Sequence, residues 1–87
     1  MHNFETGTRY LMIWPGDADA YTVCTVLKRT AKFVTLDIDG YGVKRCALRQ
    51  NLEGEYAAPL GTAFLAPIVR AKRVYNLDAI ANRAWRA

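Results

Sequence analysis

Between Tyr21 and Arg49, polar and apolar residues alternate in three short runs rich in Val, Thr, Phe and Ile, each closed by a turn signal. A period of two is the mark of strands with one buried face, and turn signals every ~8–12 residues point to an all-β fold. The runs are Tyr21 to Lys28, Lys32 to Ile38, and about Val43 to Arg49. Asp39-Gly40-Tyr41-Gly42 turns the chain between the last two. An earlier run, Arg9 to Trp14, ends at Pro15-Gly16-Asp17, a strong breaker cluster. Gln50 to Glu55 reads as a polar turn and Pro59-Leu60-Gly61 as a further break. A last strand covers Ile68 to Val74, with Pro67 at its start, where the missing N–H does no harm.

Matching the apolar faces gives an expected register. Val34, Leu36 and Ile38 share one face, and Phe33, Thr35 and Asp37 share the other. Cys46 and Leu48 share a face with Lys44, while Arg45, Ala47 and Arg49 point the opposite way. Leu36 then falls opposite Cys46, Val34 opposite Leu48, and Asp37 opposite Arg45 as a favourable cross-strand pair. The same matching sets Val26 against Val34 and Cys24 against Leu36. Cys24 and Cys46 would lie two strands apart, roughly 9–10 Å, beyond the ~5.5 Å of a disulfide. Two buried free thiols are expected.

The tail changes period. Leu77, Ile80, Ala81, Ala84 and Trp85 follow the spacing of a helical apolar stripe. Asn76 is placed to cap it, with Asp78 in the first turn and Arg83 and Arg86 near the end. About ten residues is below the ~12–15 at which isolated helices become marginal, so the stripe is expected to dock on the barrel or on a partner.

These elements predict one domain. It is mainly β, a small five-stranded antiparallel SH3-like barrel over 1–75 with a short C-terminal α-helix over 76–87. An OB-like barrel is the nearest competitor, but it needs a helix between the third and fourth strands, and Gly40 to Val43 leaves no room for one. A chain of 87 residues buries only ~60% of its unfolded surface. A homodimer through an edge strand or through the helix stripe would add buried area.

The run from Tyr21 to Leu36, with Val26-Leu27-Lys28-Arg29-Thr30-Ala31-Lys32-Phe33-Val34-Thr35 at its centre, resembles small SH3-like proteins encoded by phages and plasmids. Lys44-Arg45, Tyr56-Ala57-Ala58-Pro59-Leu60-Gly61 and Ala66 to Ala71 extend the likeness over about residues 7 to 72, without the C-terminal helix. The resemblance implies an accessory protein of a mobile element and no particular activity. Met1 to Glu5 lacks the basic and apolar regions of a secretory leader, and the longest uncharged runs are too short to span a bilayer. The expectation is a soluble protein in the cytoplasm of a bacterial host.

Little catalytic chemistry is on offer. The chain has no serine, and its single histidine, His2, stands at the terminus. Cys24 and Cys46 therefore have no internal base to activate them. Two cysteines and one histidine match no zinc spacing, and Asp17/Asp19 and Asp37/Asp39 fit no EF-hand. No enzyme, metal or cofactor is expected.

The cations carry more. Lys28 to Arg49 holds six (Lys28, Arg29, Lys32, Lys44, Arg45, Arg49) against Asp37 and Asp39, a local +4 that equals the net charge of the whole chain. Phe33 lies on the same outer face as Arg45 and Arg49, and Tyr41 stands at a hairpin tip. Rings among cations on an open sheet suit single-stranded nucleic acid, which wants a stacking surface and positive charge together. Arg70, Lys72 and Arg73 form a second basic cluster on the last strand. The plain alternative is a solvated face whose edge charges block aggregation. Trp14 and Trp85 read as core or rim residues, or as interface anchors. Two functions are compatible with this pattern. One is a non-enzymatic module that binds nucleic acid through Lys28, Arg29, Lys32, Phe33, Tyr41, Lys44, Arg45 and Arg49. The other is a small inhibitor of a host defence complex, of the anti-CRISPR or anti-restriction type, that blocks an acidic protein surface by contact.

Overall fold

A computed structural model describes residues 2–16, 20–61 and 66–82. Seven strands form one curled antiparallel sheet: β1 (Arg9–Ile13), β2 (Tyr21–Arg29), β3 (Phe33–Ile38), β4 (Gly42–Ala47), β5 (Arg49–Asn51), β6 (Gly54–Ala57) and β7 (Ile68–Val74). Their spatial order is β4-β3-β2-β1-β7-β6-β5. The outermost strands, β4 and β5, are consecutive in the chain and separated by Leu48 alone. The Leu48 N–H still donates to Lys32 O at 2.8 Å, and Arg49 already pairs with Tyr56. One residue thus turns the corner between the two ends of the sheet.

The five-strand expectation needs correction. Residues 50–55, expected as a turn, carry a hairpin in which Arg49, Gln50 and Asn51 face Tyr56, Glu55 and Gly54. Asn51 Oδ1 closes it by accepting the Glu53 and Gly54 N–H groups at 2.9 and 3.2 Å. The segment has no apolar alternation, so nothing local marks it as a strand. Its support comes from elsewhere. Tyr56 and Ala57 pair with β7, and Glu55 N–H donates to His2 O at 2.9 Å. Gly54 is needed there: its φ is 138°, and an added Cβ would lie 2.8 Å from His2 N.

The expected faces hold, but each register moves by two residues. Val34 opposes Cys46 and Leu36 opposes Lys44, so Thr35 rather than Asp37 faces Arg45. Cys24 opposes Ile38 and Val26 opposes Leu36, followed by a bulge before Lys28 and Thr35. A slip of two leaves every side chain on its face, so hydrophobic matching alone does not distinguish the two registers. The turns decide. Gly40, at φ 81°, sits third in a tight turn closed by the Tyr41 N–H on Ile38 O at 2.9 Å. At the other hairpin Thr30 Oγ1 accepts the Phe33 N–H at 3.1 Å.

The concave side of the sheet buries Tyr10, Met12, Cys24, Val26, Val34, Leu36, Ile38, Cys46, Ala57, Val69 and Ala71, with Phe4 folded in from the N-terminal segment. Phe4 meets Tyr10 edge to face, ring centroids 5.0 Å apart. Both cysteines are buried free thiols. Leu77–Asn82 (α1) is a helical segment of six residues. Of the expected stripe, Leu77 is exposed and Ile80 half-buried; residues 83–87, with Trp85, lie outside the described residues, as do Asp17 and Asp19.

An ion pair ties the N-terminal segment to the sheet. Arg29 Nη1 and Nη2 donate to Glu55 Oε1 and Oε2 at 2.6 and 2.9 Å, and Nη1 also reaches Phe4 O at 2.8 Å. Glu55 Oε1 accepts the Phe4 N–H at 2.8 Å. Burial pushes the Glu55 carboxyl up, but the hydrogen bonds from Arg29 and Phe4 and the Arg29 charge outweigh it, leaving it below its ordinary range.

A carboxyl with a depressed folded value stabilises the fold above its unfolded value of ~4.3 and loses that contribution as pH falls through the folded one. Glu55→Gln should therefore lower stability by about 1–3 kcal/mol at pH 7, and the deficit should shrink in urea denaturation near pH 3. An equal deficit at both pH values would mean that the pair is not its source. Burial, ahead of the nearby Asp39 charge, pushes the Cys24 thiol up to about 12; burial also raises Cys46. Neither thiol should react with an aromatic disulfide reagent in the native protein at neutral pH, and both should react once it is unfolded.

Candidate nucleic-acid interface

The convex side of the sheet divides the basic residues into free and engaged groups. On β4, Arg45 and Ala47 are exposed, and Arg49 continues outward past the Leu48 corner. The Arg45 guanidinium lies over the Phe33 ring, 3.9 Å from its centroid. This is the diagonal contact the register allows: Phe33 opposes Ala47, and Arg45 is two residues back on the same face. Lys28 is exposed opposite Thr35, and Lys32 is exposed in the turn before Phe33.

Past the corner a second row begins. Arg49 opposes Tyr56, and Tyr56 opposes Arg70. A tyrosine is thus flanked by two arginines across three neighbouring strands. Alternation does not single out Tyr56, whose strand begins inside the segment that reads as a polar turn, Gln50 to Glu55. A recess of about 210 Å³ lies at the corner itself, lined by Arg45, Cys46, Ala47, Arg49, Ala58 and Pro59. Its walls place two cations beside small apolar surfaces.

Four expected members fall away from this strip. Arg29 is engaged by Glu55 and Phe4, on the concave side. Lys72 forms an ion pair with Glu53. Lys44 is exposed but stands opposite Leu36, on the face that Cys46 shares. Tyr41 sits at the far end of β3, packed against Trp14 at a ring separation of 6.0 Å. Among the described residues, the ion pairs are Arg29–Glu55 and Lys72–Glu53, and neither takes a cation from the Phe33–Arg45–Arg49 strip.

Trp14 is a fixed residue. Its Nε1–H donates to Thr22 Oγ1 at 2.9 Å, and its body packs against the core. It lines a cavity of about 290 Å³ with Ile13, Pro15, Ala66, Ile68, Arg70 and Arg73. Arg73 therefore stands apart from Lys72, although the two are sequence neighbours. Outside these groups, Arg9 lies over the Tyr75 ring, 4.4 Å from its centroid.

Among the described residues no group of three His, Cys, Asp or Glu side chains could hold a metal ion. None of their helices is long and apolar enough to cross a membrane. The geometry offers stacking planes, guanidinium forks and shallow recesses. Comparison of the chain with models of protein families, with curated proteins and with solved structures returns no match.

Proposed function

We propose that the chain is a small SH3-like barrel that binds single-stranded nucleic acid, without catalysis, along the convex strip of Lys28, Lys32, Phe33, Arg45, Arg49, Tyr56 and Arg70. The observation that carries this reading is the Arg45 guanidinium stacked 3.9 Å over Phe33, with no carboxylate partner among the described residues. Phe33 carries the guanidinium over its ring. The outer face of the guanidinium can stack a base, and its edge N–H groups can reach a phosphate. Arg49 and Tyr56 repeat the combination past the corner. Base stacking on such a platform contributes about 1–3 kcal/mol per base without demanding a sequence. The likeness of residues 7 to 72 to accessory proteins of phages and plasmids is compatible with this role.

Log affinity for a single-stranded oligonucleotide should fall linearly with log salt, by about 0.7 per phosphate, or about 2 to 3.5 overall for three to five contacts. The double variant Arg45→Glu, Arg49→Glu should abolish binding while circular dichroism and thermal midpoint stay near the parent's. Binding that survives would place the interface on another face. No binding even at low salt would overturn the reading and favour contact with an acidic protein surface, as in an inhibitor of a host defence complex. Phe33→Ala should weaken binding by about 1–3 kcal/mol and leave the salt slope unchanged, because it removes a stacking support and no charge.

A further inference from the structure

The cavity between the end of β1 and the start of β7 combines two features. Part of its lining is apolar: Trp14, Pro15, Ile13, Ile68 and Ala66. The indole is held in place by its bond to Thr22 and by Tyr41 behind it. Arg70 and Arg73 also line it, and among the described residues neither has a carboxylate partner. Burial, then the nearby charge of Arg70, holds the Arg73 guanidinium below its ordinary value. Two guanidiniums that line one cavity, with no acid among its described lining residues, form a site suited to a dianion. The volume, about 290 Å³, is at the low end of ligand pockets, which run from ~300 to ~1,000 Å³, so the occupant is small.

The same cavity adjoins the proposed strip. Arg70 opposes Tyr56 and also lines the cavity, so the row Arg49–Tyr56–Arg70 leads into it. We infer that the cavity receives a nucleotide bearing a phosphate monoester, with the phosphate between Arg70 and Arg73 and the base against Trp14. A monoester carries about −1.5 to −2 charge at neutral pH, against −1 for each diester inside a strand. Two arginines therefore favour a phosphorylated end over an internal position. The inference deepens the single-strand reading and rests on it for the end of a strand; a free mononucleotide presents the same chemistry.

Two measurements on the full chain test it. The first compares oligonucleotides of one sequence that end in a 5′-phosphate, a 3′-phosphate or hydroxyls at both ends. One phosphorylated form should bind about tenfold more tightly, the factor equivalent to ~1.4 kcal/mol, and Arg73→Gln should remove the difference. Arg45→Glu should weaken all three alike. The second titrates a nucleoside monophosphate, the matching nucleoside and inorganic phosphate, and follows the indole N–H resonance of Trp14, assigned with Trp14→Phe. The monophosphate should move that resonance at concentrations where the nucleoside does not, and not in Arg73→Gln. If oligonucleotides bind with no preference for an end, the inference fails and the single-strand reading stands. If oligonucleotides do not bind but the monophosphate moves the Trp14 signal, the site takes a free nucleotide and the strand reading fails. No response to the monophosphate overturns the inference.

Discussion

The single-residue corner at Leu48 governs the rest of the architecture. A sheet of seven strands in the order β4-β3-β2-β1-β7-β6-β5 has its two ends in consecutive strands. With only one residue between them, the ends must come together, and the sheet must curl. Curling converts one face into a concave side that can bury Tyr10, Met12, Leu36, Ile38 and Val69 together. The other face becomes convex and carries the exposed cations. Because Leu48 pairs with Lys32 while Arg49 starts the next ladder, the alternation passes the corner unbroken. Arg45, Ala47 and Arg49 all remain exposed, and so the corner joins two basic rows into one strip.

The acids then sort the cations. The net charge of +4 says nothing about which positive groups are free. Glu55 lies on the concave side, beside Phe4, and holds Arg29 there with both oxygens. Losing one partner of such a partly buried pair would leave the other charge uncompensated. Glu53 holds Lys72 on the far hairpin. These two glutamates are thus engaged away from the Phe33–Arg45–Arg49 strip, and the free cations are a smaller set than the sequence count implies. The unequal use of equal charges is a property of the pairing, which a linear sequence does not display.

The faces of the central strands could be read directly from alternation, because a period of two is a local property of the chain. So could the outward placement of Phe33, Arg45 and Arg49. The partners across the strands could not be read, because a slip of two preserves every face. Turn geometry at Gly40 and Thr30 and a bulge near Lys28 decide them. β5 and β6 were hidden for a different reason. Their sequence, Arg49-Gln50-Asn51 and Gly54-Glu55-Tyr56-Ala57, holds few β-formers, and they stand because His2, β7 and Arg29 hold them. Tyr56 and the fate of Arg29 were lost with them. Tyr41 does stand at the hairpin tip, but a tip carries no information about which distant residue, here Trp14, will meet it.

The two-residue shift of register also bears on the chemistry of the strip. In the register expected from the sequence, Asp37 would face Arg45, and the pair would largely cancel. In the structure Asp37 faces Val43 and Thr25, and Arg45 faces Thr35. Arg45 is then free to lie on Phe33, a diagonal neighbour on the same strand pair. A guanidinium on an aromatic face gains about 0.5–1 kcal/mol at an exposed site, similar to what an exposed ion pair contributes. Stability is therefore a weak discriminator between the two arrangements. Their surfaces differ much more: one presents a neutralised pair, the other an exposed cation held over an aromatic ring. The tight turn at Gly40 fixes which of the two this protein displays.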